Sequence, residues 1–199
     1  MSTLALNEWF EEFLNMLRRR TVFITQGDDP IYYLVYPPQW TLESYNLLPT
    51  WESLLRHEGY APRIFNIGHA LEEYLKNHQD RAAFIAYERS RPHDLRSVNK
   101  SVQDVLQPKG DPHVAETWIQ AEIKAAGSKP GGFLIITGIE LLHPYFQIGR
   151  IEQRLQGKFT VPTLVLYPGT RTGTFGLQYL GIYPPDGNYR SRHVGGTYA

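Results

Sequence analysis

Few of the residue types that carry out chemistry stand here in a pattern that would let them do it. The 199-residue chain has seven histidines and twenty acidic residues but no cysteine. That excludes thiolate nucleophiles, cysteine-ligated zinc, iron–sulfur clusters and disulfides from this chain. No Gly-x-Ser-x-Gly elbow, no His-Glu-x-x-His pair and no paired-acid motif occurs. His143, after an apolar run and close to Glu140, is the best-placed pair for hydrolysis. The plain alternative is a structural histidine before Pro144 at the start of a helix. Nucleotide hydrolysis needs Gly-x-x-x-x-Gly-Lys-Ser/Thr, whose backbone amides, lysine and hydroxyl hold phosphate and magnesium. That string is absent, and Thr137 ends the run where such enzymes want a carboxylate. The chain is therefore read as non-enzymatic, with no catalytic residue, no cofactor and no metal ligands.

Binding chemistry is better represented. Tyr167-Pro168-Gly169-Thr170-Arg171-Thr172-Gly173 follows an apolar run and combines glycines, hydroxyls and an arginine. Such a loop suits an anion or an acidic protein surface; otherwise it is a tight turn. Residues 1–60 hold four arginines against eight acids, net −4, whereas residues 150–199 hold six basic residues against two acids, net +4. Arginine and tyrosine are enriched among interface hot spots. The candidate interaction residues are therefore Thr170, Arg171, Thr172, Tyr189, Arg190 and Arg192, facing an acidic partner surface, with phosphate as the weaker alternative. Tyrosine and arginine also stack on single-stranded bases, but an overall net charge of zero weakens a nucleic-acid role for the whole chain.

The elements that must position these residues follow from pattern. Leu6, Phe10, Phe13 and Leu17 form an apolar stripe that predicts an opening helix over 3–20, with Trp9 and Met16 beside it and Arg18, Arg19 and Arg20 in its last turn. Ile31–Tyr36 reads as a buried strand stopped by Pro37-Pro38. Residues 41–58 look helical but contain Pro49, so Thr50 is expected to cap a fresh helix with Trp51, Leu54 and Leu55. Arg63–Asn66 suggests a second strand and 68–89 one helix; 90–110 gives no clear pattern. Asp111-Pro112 signals a helix start, and that helix, to Gly127, is expected to bury Val114, Trp118, Ile119 and Ile123, with Trp118 facing the sheet. Phe133–Thr137 and Thr163–Tyr167 are clear strands, with a helix carrying Ile148, Ile151 and Leu155 between them. Gly176–Tyr183 and Tyr189–Val194 suggest a C-terminal hairpin or edge pair within residues 174–195.

Alternating, near-continuously apolar strands and helices define one α/β domain over 1–199, with a mainly parallel central sheet covered by helices on both faces. The order of elements resembles a degenerate P-loop-ATPase core. Functional groups are then expected beyond the carboxyl ends of the strands, at Pro37-Pro38, Thr137-Gly138 and Pro168–Arg171.

Four of these segments, in order, resemble the BrxB family of bacterial BREX phage-defence systems. They are Tyr32–Pro38 (YYLVYPP), Phe133–Gly138 (FLIITG) followed by His143-Pro144, Leu164–Thr170 (LVLYPGT), and Asn188-Tyr189-Arg190. The resemblance implies a role beside a methyltransferase, a large ATPase and the alkaline-phosphatase-like protein PglZ. It carries over no catalytic residue. The expected function is a non-enzymatic adaptor in a BREX-type complex, docking PglZ, with DNA contact left open and only within the assembly. The alternative is a nucleotide- or nucleic-acid-binding protein on an ATPase-like core. No apolar run approaches the ~18–20 residues that span a bilayer, and Glu8, Glu11 and Glu12 interrupt any signal-like start, so no membrane contact and a cytoplasmic location are expected.

Overall fold

The structure is a computed structural model that describes residues 2–20, 29–107, 113–173, 176–184 and 191–196. Tyr189, Arg190, Asp111 and Pro112 lie outside the described residues. The elements run α1 (Ser2–Arg20), β1 (Ile31–Tyr36), a 3-10 turn (Pro38–Trp40), α2 (Thr41–His57), β2 (Ala61–Asn66), α3 (Ile67–Asn77), α4 (Arg81–Ser90), α5 (Leu95–Leu106), α6 (Val114–Gly127), β3 (Gly132–Thr137), a second 3-10 turn (Ile139–Leu142), α7 (Ile148–Arg154), β4 (Thr163–Thr172), β5 (Gly176–Tyr179) and β6 (Arg192–Gly195). The sheet has six strands in the order β2-β3-β4-β1-β6, with β5 added to β4. Every pairing is parallel except β4 with β5.

The α/β class and the mainly parallel sheet follow from the strand compositions. Every residue of β1 and of β3 is buried, as a strand covered on both faces requires. Successive side chains then divide between two cores. Ile31, Tyr33 and Val35 join α3, α5, α6 and α7 on one face. Tyr32, Leu34 and Tyr36 join α1 and α2 on the other. The α1 stripe lies in this second core, with Leu6, Phe10, Phe13, Leu14 and Leu17 all buried. The edge strand β2 is half exposed and tolerates Pro62, which a central strand would not.

The two C-terminal β stretches do not form a hairpin with each other. β5 folds back on β4, pairing Arg171 with Leu177 and Thr172 with Gly176. β6 crosses to the far side of β1 and runs parallel to it, Tyr33 opposite His193. Each stretch finds an open edge elsewhere. β4 correspondingly extends past Tyr167 to Thr172, so Thr170–Thr172 is strand and not loop.

Four helix readings change. α2 runs unbroken through Pro49. Pro49 and Thr50 are both exposed, so the proline removes one helical bond on the solvent side while the buried Ser44, Trp51 and Leu55 hold the helix together. The expected long helix over 68–89 is two, α3 and α4, separated at His78–Asp80. The polar 95–106 stretch is helix α5, capped by Asp94, whose carboxylate accepts from the Ser97 amide at 3.1 Å. In α6 the fully buried row is Ala115, Ile119, Ile123 and Ala126, with Glu116. Trp118 and Val114 are only partly buried. Trp118 meets Tyr74 of α3 edge-on, with ring centroids 5.6 Å apart, and does not face the sheet.

Candidate interaction surface at the carboxyl edge of the sheet

The carboxyl ends of β1, β2 and β3 meet around one polar knot. Gly138, the residue after β3, has φ +76, and a Cβ there would come 2.2 Å from Asn66 Oδ1 at the end of β2. Only glycine fits that approach. The Asn66 side chain caps α3 by accepting from the His69 amide at 3.1 Å. The Gly138 amide donates to the Tyr45 hydroxyl at 3.1 Å, and that hydroxyl donates onward to Glu140 Oε1. Glu140 Oε2 is buried without a hydrogen bond among the described residues. Tyr36, the last residue of β1, is fully buried beside this carboxylate. Burial raises its hydroxyl well above the usual tyrosine range and the Glu140 charge adds to that, while the Ser44 and Thr41 hydroxyls oppose it. Tyr45 is pushed up first by burial and then by its bond to Glu140.

Glu140 is thus tied to Tyr45, and His143 is engaged elsewhere. The His143 ring bonds the Tyr183 hydroxyl, with ring centroids 4.5 Å apart. Burial lowers its basicity. Each member of the expected Glu140–His143 pair therefore has its own tyrosine. From Tyr183 a row of rings runs inward through Tyr179 at 5.9 Å, Tyr167 at 5.4 Å and Tyr33 at 5.5 Å to His193 at 5.7 Å. The row ends in a buried polar cluster. Glu152 accepts from the Tyr33 hydroxyl at 2.8 Å and from Ser191 at 3.4 Å. Burial drives the Glu152 carboxyl up to about 7, against these two hydroxyls, with Asp29 adding to the rise. Burial, and then the Arg171 charge, bring His193 down to about 4.

Of the candidate interaction residues, Thr170, Arg171 and Thr172 lie on the ribbon that β4 and β5 raise beyond the carboxyl edge. All three are half-buried. Arg171 is turned inward: its Nη1 donates to the Gly195 carbonyl at 3.3 Å, tying the ribbon to the end of β6. At Gly196, which has φ +76, a Cβ would come within 3.1 Å of Arg171 Cγ, a tight contact with this side chain. Arg192 is exposed and lies opposite Tyr32 near the start of β1. The structure therefore places Arg171 and Arg192 at opposite ends of the sheet. Sequence reasoning missed Tyr36 and Tyr45. The available signal was Thr41, Ser44 and Tyr45 in the first turns of the helix that follows a strand end, where side chains point back over the carboxyl edge.

The same edge carries much of the exposed apolar surface. Leu42 at the start of α2 is 74% exposed, Leu141 after β3 is 53% exposed and Ile182 after β5 is 78% exposed. Nearby Trp40 stacks on Trp9 at 5.6 Å. Among the described residues no helix is long and apolar enough to cross a membrane, and no cluster of three or more histidine or acidic side chains could hold a metal ion.

The fold defines a mainly parallel α/β protein, with a polar knot and the exposed side chains of Leu42, Leu141 and Ile182 at the strands' carboxyl ends. Residues 63–194 match the family described as BREX protein BrxB. The match spans well over half of the chain, and the protein belongs to that family, a component of BREX phage-defence systems. No curated protein and no solved structure was found to match it.

Proposed function

We propose that this protein is a non-enzymatic adaptor in a BREX defence complex, and that its carboxyl edge docks the PglZ-type, alkaline-phosphatase-like partner. Family membership supplies the setting. The observation that carries the surface is the grouping of Leu42, Leu141 and Ile182 on segments that follow strand ends, beside the Thr170–Thr172 ribbon. Single exposed leucines are ordinary; three such side chains on segments that follow strand ends favour a contact surface at that edge. The ribbon adds the half-buried Thr170 and Thr172 to this surface, while Arg171 is held by the Gly195 carbonyl. DNA enters only through the assembled complex.

The test is pulldown and titration against each co-encoded defence protein. Leu42→Glu with Leu141→Glu should weaken partner binding by about tenfold or more and leave the melting temperature within a few degrees of wild type. Full binding by the folded double variant places the interface elsewhere.

A second reading, nucleotide or nucleic-acid binding on a P-loop-like core, draws on the strand order. β1 ends between β4 and β6, the kind of switch point at which open α/β sheets hold ligands. The chain that follows is Pro37-Pro38-Gln39-Trp40, without a glycine to cradle phosphate. Phosphate release from ATP with magnesium, abolished by a substitution near Pro37, Thr137 or Arg171, would favour this reading over the first.

A further inference from the structure

Away from the strand ends, α5, α6 and α7 enclose a polar cavity of about 200 Å³. Its polar lining includes Gln103 of α5 and Gln107 just after it, His113 and Glu116 at the start of α6, and Arg150 and Arg154 of α7. The Glu116 side chain is only 8% exposed. Its Oε1 lies 3.3 Å from Arg154 Nη1 and 3.4 Å from His113 Nδ1. The Arg154 contact is an ion pair, but neither neighbour is aligned as a hydrogen bond, so among the described residues this buried carboxylate oxygen has no hydrogen-bond donor. Such an oxygen is costly unless something donates to it. Arg154 Nη1 also touches His113 Nε2 at 3.3 Å, which fixes the guanidinium between the two side chains. Arg150, on the same helix, is exposed at the cavity.

The cavity therefore asks two things of one ligand. It must donate a hydrogen bond to Glu116 and accept from a guanidinium at Arg150. Two arginines against one carboxylate leave the lining positive, so the ligand is an anion. An ionised carboxylate or a sulfate accepts but has no proton to donate. A phosphate that keeps one proton does both: its P–OH donates to Glu116 and its remaining oxygens accept from the arginine. The volume lies below the ~300 Å³ at which drug-sized sites begin, so there is room for the phosphate and little more. We propose that this cavity is a binding site for a phosphate group in its hydrogen-bearing form, either free phosphate or a small phosphomonoester. Glu116 selects the proton and Arg150 holds the charge.

The probes are inorganic phosphate, glycerol 3-phosphate and sulfate, titrated calorimetrically into the full chain at pH 6 and pH 8. Phosphate should bind saturably with a Kd of about 1 mM or tighter, and sulfate about tenfold more weakly or worse. A monoester loses its last proton near pH ~6, so glycerol 3-phosphate should weaken from pH 6 to pH 8 more than free phosphate does. Whichever binds more tightly at pH 6, where both probes still carry a proton, identifies the source. Arg150→Gln should weaken phosphate about tenfold with an unchanged melting curve, because the side chain is exposed. Glu116→Gln should bring phosphate and sulfate within about threefold of each other. If that buried variant does not fold, Arg150→Gln and the phosphate–sulfate ratio of the wild type still decide. No saturable phosphate binding, equal affinity for sulfate, or an Arg150→Gln variant that binds like wild type each overturns the proposal.

Discussion

On the side covered by α1 and α2, β1 presents Tyr32, Leu34 and Tyr36; on the other side the same strand presents Ile31, Tyr33 and Val35. The first face is filled with rings. Phe10 lies flat on Trp51 at 4.8 Å, and Phe13 meets Tyr32 at 5.2 Å and Phe133 at 6.0 Å, both edge-on. The polar atom of Trp51 is satisfied by Asn7 Oδ1 at 2.9 Å. The second face mixes aliphatic side chains with the Tyr179–Tyr167–Tyr33 row and also takes in Glu116, Glu152 and His193. One face thus stabilises the sheet by area and ring contact. The other gives up part of that stability to keep ionisable groups out of water, and a polar cavity opens between its helices. Groups that cost folding energy and are retained are the natural places to look for function.

The sharpest way to break this contrast is to weaken the ring-filled face. Trp51 is 0% exposed. Trp51→Ala should cost about 3–5 kcal/mol, the range for deleting a large buried aromatic, read from the midpoint of denaturant unfolding. A cost under about 1 kcal/mol would show that this core is not tightly packed.

The second face should instead show itself through pH. Glu152 rises from 4.5 to about 7 on folding. Its protonated form is the stable one inside, so its contribution is full below pH 4.5 and is lost as pH rises through 7. His193 falls from 6.5 to about 4. Its contribution is full above pH 6.5 and is lost as pH falls through 4. Between pH 4.5 and 6.5 the two slopes have opposite signs and nearly cancel. Glu152→Gln should therefore leave a protein whose stability climbs by about 2–3 kcal/mol from pH 4.5 to 6.5. His193→Gln should fall over the same window, and the double variant should be level. Urea melts at four pH values read all three. Parallel pH profiles for the two single variants would show that these groups are not buried as described.

What the sequence made legible divides along the same line. The α1 stripe, β1, β3 and the first half of β4 were readable because each is a continuous apolar signal whose period fixes its element. The pairing of β5 and β6 was not, since two short segments near a turn suggest a hairpin, whereas open sheet edges decided where each went. Glu140 was singled out, but its partner is Tyr45, ninety-five positions away. Glu152, Ser191 and His193 gave no local pattern at all: a buried carboxylate looks like any surface one until three distant segments close over it. Arg171 was visible as a basic group after a strand, but its inward bond to Gly195 depends on β6 returning beside β1.

Trp118 offers the smallest effect and a check on where the second face ends. A tryptophan between Val114 and Ile119 on an amphipathic helix invites the assumption that it is core. In the structure it sits on the flank of α6, edge-on to Tyr74 of α3, beside an open hollow shared with His78. The α6 residues that are fully buried are the small and branched ones, Ala115, Ile119, Ile123 and Ala126. Packing α6 closely on a sheet leaves no depth for an indole, so the ring is displaced sideways onto the next helix. Trp118→Ala should then cost only about 1–2 kcal/mol, the area of a half-buried ring. Of that, about 0.5–1.5 kcal/mol should appear as coupling to Tyr74 in a double-mutant cycle with Tyr74→Ala. A loss as large as that of Trp51→Ala, or no coupling to Tyr74, would return Trp118 to the sheet and move the boundary of the second face outward to include it.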